Sequence, residues 1–543
     1  MAKLGTKRIV LIALVVVIAA GGIIWAIVAN LKPTFHSGIK AVPDAYTVSG
    51  NGSAAVMVDN YLYFVGDYTK TSDIKYGEND YYANGKIPSA AIYRVAIKDD
   101  RPDLHYEYDN IDPDGDGTEE YDPDDPCYDS MDNLTKITDW EDVTAKNSNI
   151  DVVVPKIAGH DQTAMWVFGN NLIYTTPHNL LNSTGQLLSS RLDFYCVGLD
   201  GKNHRLIYTS AAGVTTDDFT VWANTTDNIY LLIKEDTTLK KIKVSDKKVT
   251  TIAEDITAVA FPQAAQYRRQ STTERLSDIY GGVMSYVYYT TARDADAQTG
   301  GGNGNLMYRY QINANNEPQL IGDQTTDNSG LTFTPVAVTP FGAGNAQFVF
   351  STKETAGGTE MPATYYHIVT NDLALNDKAD FAKLLSAGGS TLGVAGDTVK
   401  IYANGFWTRD KKLYHYTLVY KNNNIYPQID DNMVALRDDV DDVFAVMGDT
   451  VYLHRSDMVS IVTFSAGDTN GTGMNSIALA TTVDETTGTD SAPVLLPLAG
   501  LYQAYANGGA AGNNLVFVYD SDGLKLYSAT KANQYAYLRV KKS

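Results

Sequence analysis

NIYLLIKEDTTLKKIKVSDKKV, residues 228–249, alternates strand, tight polar turn, strand, tight polar turn, strand. Phrases of the same form recur from Asn60 to the C-terminus. They include Asn60-Tyr61-Leu62-Tyr63-Phe64, Asn171-Leu172-Ile173-Tyr174-Thr175, Tyr286-Val287-Tyr288-Tyr289-Thr290 and Gln347-Phe348-Val349-Phe350. Thr398-Val399-Lys400-Ile401-Tyr402, Asp449-Thr450-Val451-Tyr452-Leu453 and Asn514-Leu515-Val516-Phe517 complete the series. One β-unit is therefore repeated along the body, and a unit that cannot bury its faces alone stacks on its neighbours.

The units begin near residues 60, 171, 228, 286, 347, 398, 450 and 514. Most spacings are about 50 to 65 residues, long for a four-stranded blade. The first gap holds one unit plus an insertion. Helical signal is confined to Asp380 through Ser386. The fold expected is all-β: a single seven- or eight-bladed β-propeller covering residues 46–543, with an N-terminal transmembrane helix. Eight units suggest eight blades. Seven follow if the chain closes by pairing a strand from residues 45–58 with one from residues 535–540. A closed ring leaves only short strand edges. A row of separate sandwiches is the alternative, but no Pro- or Ser-rich linker interrupts the body.

Residues 1–8 form a basic lead with Lys3, Lys7 and Arg8. Residues 9–29, IVLIALVVVIAAGGIIWAIVA, follow without a charge. At about 1.5 Å per residue such a helix spans roughly 31 Å, enough to cross a hydrocarbon core. Trp25 falls near the far interface and Lys32 marks the exit; positive charge before the helix places the N-terminus inside. The run is long for a signal-peptide core and ends without a small-x-small site, so an uncleaved signal anchor in the plasma membrane is expected. Residues 30–45, with Pro33, Gly38 and Pro43, read as a stalk. The propeller then lies outside the cytoplasm.

The chain carries a formal net charge of −21, which repels phosphate backbones and argues against a nucleic-acid partner. Fifteen Asp and Glu against one Arg in residues 99–132 give a local balance of −14, so one segment holds most of the excess. This is the insertion, residues 99–150. Cys127 and Cys196 are the two cysteines. In an oxidising compartment they can bridge; alternatively Cys196, alternating with Leu192 and Phe194, is a small core residue.

The phrase pattern carried by residues 171–175 with 195–201, 227–232 and 514–527 resembles that of YWTD-type and TolB-like propellers. In particular it is similar to the membrane-anchored bacterial versions of unknown function found in Firmicutes. No Tyr-Trp-Thr-Asp is present. The resemblance implies a propeller fold and, by analogy alone, a binding or scaffolding role.

Within the insertion, Asp112-Pro113-Asp114-Gly115-Asp116-Gly117 matches the start of a calcium loop: carboxylates at alternate positions, then a Gly that permits a sharp turn. The twelfth position is Pro123, not the bidentate Glu of an EF-hand, so Glu120, Asp122 or Asp124 supplies the late ligand in that reading. A solvated acidic loop is the alternative. The run Asp438-Asp439-Val440-Asp441-Asp442 lacks the spacing and reads as solvated. His160 beside Asp161, and His178, His204, His367, His415 and His454, are the imidazoles a ring mouth can gather, but no hydrolase elbow, zinc motif or phosphate loop accompanies them. Tyr81-Tyr82, Tyr288-Tyr289, Tyr365-Tyr366 and Phe406-Trp407 place adjacent aromatics on strands. Not all of them are expected to face the core, and exposed ones suit sugar rings or protein partners.

The function expected is a non-enzymatic binding or scaffolding module for a surface protein or glycan, with Ca²⁺ ordering the insertion. The alternatives are a glycan hydrolase on the same fold and a surface-array or filament subunit.

Overall fold

The computed structural model describes residues 48–53, 55–58, 61–67, 90–98, 101–102, 150–157, 164–181, 187–225, 228–263, 282–292, 304–323, 331–342, 345–356, 359–369, 378–420, 426–430, 434–447, 449–455, 458–464, 472–478, 482–483, 490–491, 502–505, 511–520, 523–528 and 535–538. These residues fall mainly into small antiparallel sheets, eight of them with three or more strands. Each sheet is built almost wholly from consecutive strands, up and down, as in the third: Phe219–Thr225, Asn228–Glu235, Thr238–Lys243 and Val249–Ala253. The opening stretch of sequence thus forms two hairpins of one sheet, with registers Leu231↔Ile242 and Ile242↔Val249.

Burial is graded across the second, third and fifth sheets. The second strand of the fifth sheet, Ala346–Lys353, is buried at every position but the last, and Asn228–Glu235 is nearly so. The fourth strands, Arg205–Thr209 and Val249–Ala253, are largely half-exposed or exposed. A strand covered on both faces needs a sheet on each side, which reads as a continuous apolar run rather than an alternating one. This is why Tyr288 with Tyr289, and Phe406 with Trp407, are all buried. Tyr365 is buried and Tyr366 half-buried, so not every paired aromatic faces the core, as expected. Tyr288 stacks on Phe348 of the fifth sheet, while Tyr289 stacks on Tyr308 within the fourth.

The first seven sheets are fastened in chain order. Tyr63 Oη of the first sheet donates to the Leu199 carbonyl of the second at 3.1 Å. Tyr208 Oη and the Ala211 N–H reach Glu235 of the third at 2.9 and 2.7 Å. Trp222 Nε1 donates to the Met284 carbonyl at 2.8 Å, joining third to fourth. Asn305 pairs with both backbone groups of Phe333, joining fourth to fifth. Tyr416 Oη donates to Gln347 at 2.9 Å between sixth and fifth, and Phe406 packs on Phe464 between sixth and seventh. Strand Tyr61–Asp67 of the first sheet also approaches Gly523–Ser528 of the eighth. A series of stacked sheets whose last member returns to the first is the organisation of a propeller.

Two details differ from the sequence reading. The tyrosine-bearing phrases open on the second strand of each sheet, apart from the sixth, so each sheet starts one strand earlier. In addition, the two terminal segments do not share a sheet. Val48–Ser53 adds to the free edge of Met165–Phe168 in the second sheet, Ala55–Val58 begins the first, and Tyr535–Leu538 ends the eighth. The expected helix is present as Lys378–Ala387, whose Phe381 wedges against Phe333 and Phe350.

Candidate binding recess and interior polar networks

The recess lies where the fifth sheet passes to the sixth. Thr352 pairs with Thr364, which brings Lys353 and Tyr365 to the same end of the sheet. After the short outer strand Ser390–Thr391, residues 392–399 lead to Lys400–Ile401 of the sixth sheet. This connection is built rather than loose. The Val394 N–H donates to Asp397 Oδ2 at 2.8 Å, and the Asp397 N–H returns to the Val394 carbonyl at 3.2 Å. Arg409 clamps it from below. Its Nη1 donates to the Leu392 carbonyl at 2.7 Å, its Nε lies 3.6 Å from Asp397 Oδ2, and its guanidinium rests over Trp407 and Tyr414. Gly393 leaves the room this requires, since a Cβ there would meet Asp397 Oδ2 at 2.7 Å and Arg409 Cδ at 3.2 Å.

The result is a small recess of about 10 Å³, walled by Lys353, Ala363, Tyr365, Val394, Asp397 and Val399. Val394, 66% exposed, forms its rim. Asp397 Oδ2 is committed to the loop, whereas Oδ1 and the Tyr365 hydroxyl have no hydrogen-bond partner among the described residues. Burial, and then the Asp397 carboxylate, push the Tyr365 pKa up to about 12, so the phenol stays neutral and can donate. One carboxylate acceptor and one hydroxyl among small apolar groups match a hydroxyl-bearing ligand group. Pockets for drug-sized ligands are typically ~300–1,000 Å³; at about 10 Å³ this one has room for a water molecule or the tip of a single hydroxyl-bearing group.

The other polar side chains in the interior hold sheets together. Arg94, 1% exposed, donates from Nε and Nη2 to Asp151 Oδ2 at 3.1 Å, and from Nη1 to Tyr63 Oη at 3.1 Å. Lys241 Nζ reaches Tyr310 Oη at 2.8 Å and the carbonyls of Ile312 and Ala314 at 2.9 and 3.0 Å. Glu235 accepts from Lys240, Tyr208 and Ala211. Burial by itself would raise its pKa, but these donors outweigh it and hold the carboxyl below its ordinary value. His367 Nδ1 pairs with Gln347 Oε1 at 3.1 Å, beside Tyr416 and Thr339; burial pushes its pKa down to about 3, leaving the imidazole neutral.

The histidines singled out in the sequence are dispersed. His178 is on a strand of the second sheet and His454 on one of the seventh. His204 is exposed and stacks on Tyr195, His367 is interior, and His415 Nε2 donates to the Asn404 carbonyl at 3.0 Å on the sixth sheet. His160 and Asp161, like Tyr81 and Tyr82, lie outside the described residues. Cys196 is a free, buried thiol in the second sheet; Cys127 lies outside the described residues.

Asp112, Asp114, Asp116, Glu120, Asp122 and Asp124 also lie outside them, as does the apolar run 9–29. Among the described residues no group of three His, Cys, Asp or Glu is placed to hold a metal ion, and no helix is long and apolar enough to cross a membrane. The roots of the insertion are described. Ala90–Lys98 pairs with Arg101–Pro102 on one side and with Ile150–Ile157 on the other, so residues 103–149 leave and re-enter one sheet. Arg94 and Asp151 are register partners one step inside the Val95↔Ile150 pair, at the base of that excursion.

Tyr365 was visible in the sequence as half of an aromatic pair. Asp397, Lys353 and Arg409 were not. Their signal is Gly393-Val394-Ala395-Gly396-Asp397, a turn composition directly before a strand.

No protein-family model matches the chain, and no curated protein sequence matches it. Solved structures with some likeness include a functionally unknown protein from Desulfotomaculum acetoxidans, at 10% identity over 65% of this chain and 96% of that one, with a TM-score of 0.29. A periplasmic gluconolactonase from Pseudomonas aeruginosa shares 9% identity over 67% of this chain and 95% of its own, with a TM-score of 0.29. A β-propeller domain from Myceliophteria thermophila shares 8% over 60% and 88%, with a TM-score of 0.26. At these scores the likenesses carry no weight; the propeller organisation rests on strand order, burial and the joints between sheets.

Proposed function

We propose that this chain is a membrane-tethered, eight-bladed propeller that stands outside the cytoplasm and binds a glycan or protein at the cell surface. The tether is residues 9–29, in the plasma membrane with the N-terminus inside. Calcium, held by Asp112, Asp114 and Asp116 with a late ligand among Glu120, Asp122 and Asp124, orders the insertion. The observation that carries the binding role is the recess. Asp397 Oδ1 and the Tyr365 hydroxyl, neither with a partner among the described residues, stand beside Lys353 in a small recess that can seat the hydroxyl of a ligand lying across it. A carboxylate accepts hydroxyl protons, and Ala363, Val394 and Val399 offer apolar surface to ring carbons. Glycan binding is therefore favoured over a flat protein interface.

The full chain in detergent micelles, titrated calorimetrically against neutral hexoses and N-acetylhexosamines, tests this. Binding is expected, and it should fall at least about tenfold in Y365F and in D397N, the loss of one hydrogen bond to a charged group. Binding unchanged in both variants, or no binding across the panel, sinks the recess as the site. Turnover of a glycoside, abolished by D397N, would favour the hydrolase reading instead. For calcium, a site that binds only the folded state stabilises it by about 2.7 kcal/mol at a hundredfold excess over Kd. Loss of that shift in D114A and D116A is the expected outcome, and no calcium heat in the parent chain would remove the metal from the reading.

A further inference from the structure

We propose that the hairpin at the end of the third sheet, carrying Lys243, Lys247 and Lys248, docks the acidic stretch of a second copy of this chain, residues 99–132. Eight other lysines, from Lys202 to Lys412, lie within 4.0 Å of a carboxylate. Lys243, Lys247 and Lys248 have none among the described residues. Three uncompensated ammonium groups on one turn are conspicuous in a chain of net charge −21.

The hairpin holds them in place. The Lys247 N–H donates to the Lys243 carbonyl at 2.8 Å, and the Lys243 N–H to the Lys248 carbonyl at 3.0 Å. Lys247 sits at φ +61°, and the buried Val244 anchors the turn through the Ile229 carbonyl. The acid within the turn, Asp246, accepts the Lys248 backbone N–H at 3.0 Å. Beneath lies Lys241, buried against three neutral oxygens without a carboxylate. Its charge adds to the same field. Val249, 46% exposed at the edge of the group, supplies an apolar contact.

The partner is indicated by charge. Residues 99–132 put −14 into one polypeptide stretch of this very chain, so each copy brings the complementary charge with it. That stretch is rooted in the first sheet and the lysines in the third, so the two complementary features lie on different sheets. Contact between copies can then close two-fold, each hairpin taking the other's acidic stretch, or run head to tail into a row. The proposal is independent of the recess. Calcium bound to the acidic stretch would weaken the contact by lowering its charge.

Sedimentation velocity of the full chain in detergent micelles with chelator tests it. Self-association is expected, weakened at least about tenfold between about 50 and about 500 mM NaCl as screening shortens. The variant K243E/K247E/K248E changes only exposed or half-exposed side chains and should lose it. A D112K/D114K/D116K variant should lose it too, while an equimolar mixture of the two variants should associate, because one retains the acidic stretch and the other the basic hairpin. A chain that stays monomeric at low salt overturns the proposal, as does association indifferent to the triple glutamate. Loss of thermal stability in that variant without a change in mass would place the contact within one chain. Binding to inorganic polyphosphate that disappears in the variant, with self-association intact, would assign the hairpin to a polymer. Either result refutes docking between copies.

Discussion

Replacing Arg94 with Met should destabilise the chain by about 3–5 kcal/mol, because it strands the Asp151 carboxylate in the interior. The two side chains are 1% and 2% exposed, and both donors from Arg94, Nε and Nη2, converge on one oxygen, Oδ2. The third donor, Nη1, holds Tyr63 Oη, which keeps its own bond to the Leu199 carbonyl when Arg94 is gone. The cost therefore arises mainly at Asp151, with a smaller part at the joint between the first and second sheets, where Nη1 also reaches the Leu199 carbonyl at 3.5 Å. Removing both charges tests that origin. R94M/D151L should return to within about 1–2 kcal/mol of the parent, since well-packed apolar residues replace buried ion pairs with little loss.

Thermal unfolding of the full chain in micelles is the assay, with amide exchange read alongside. If a ring of roughly 490 residues unfolds as a unit, an unfolding entropy of about 2.1 cal/mol/K per residue converts ~4 kcal/mol into about 4 °C of Tm. Exchange should accelerate first at Val152 and Val154, which pair with Tyr93 and Ile92 beside the lost clamp. A single variant within 1 °C of the parent, or a double variant as unstable as the single, would refute the reasoning.

Lys241 gives a pH signature. Burial, and then the neighbouring Lys248, push its pKa down to about 8, below the ordinary value of about 10.4 in the unfolded chain. Below pH 8 both states carry the proton and nothing changes; above it the unfolded state binds more protons, so stability should rise between pH 8 and about 9.5 relative to K241M. Urea midpoints that run parallel in the two proteins would contradict this. Gly405 sits at φ +82°, where a Cβ would lie 2.5 Å from the Tyr416 carbonyl oxygen. G405A should cost at least about 2 kcal/mol, combining left-handed strain with the displacement of Tyr416 from Gln347. An unchanged urea midpoint would show that the sixth sheet yields without cost.

Much of the fold was legible because the second strands announce themselves. Asn171–Leu181, Asn228–Glu235 and Ala346–Lys353 carry long β-branched and aromatic runs opened or closed by polar turns. The first strands are harder to read. Met165–Phe168 is four residues long and Lys400–Ile401 two, too short to show a period, and Thr332–Pro340 contains two prolines. Their strand state comes from the neighbours that cover them, which is tertiary information. The same gap explains the terminal segment. VSGNGS at Val48–Ser53 has little strand propensity, and its place beside Met165–Phe168 depends on an edge over a hundred residues away.

The recess was hidden for a related reason. Its polar groups lie on three separate pieces of chain: the end of one strand, the start of the next, and a turn leading to another sheet. Only Asp397 sits in a local pattern, and that pattern signals a turn, not a ligand. The interior ions are equally silent in sequence, because Arg94 and Asp151 are 57 residues apart and separated by the acidic insertion. Yet this separation is informative once the register is known. A charged insertion of this size pulls on its own roots through self-repulsion, and a buried, doubly donated ion pair one step inside those roots resists fraying where the pull is greatest. Thus the acidic insertion and the buried Arg94–Asp151 clamp share the same pair of strands, Ala90–Lys98 and Ile150–Ile157.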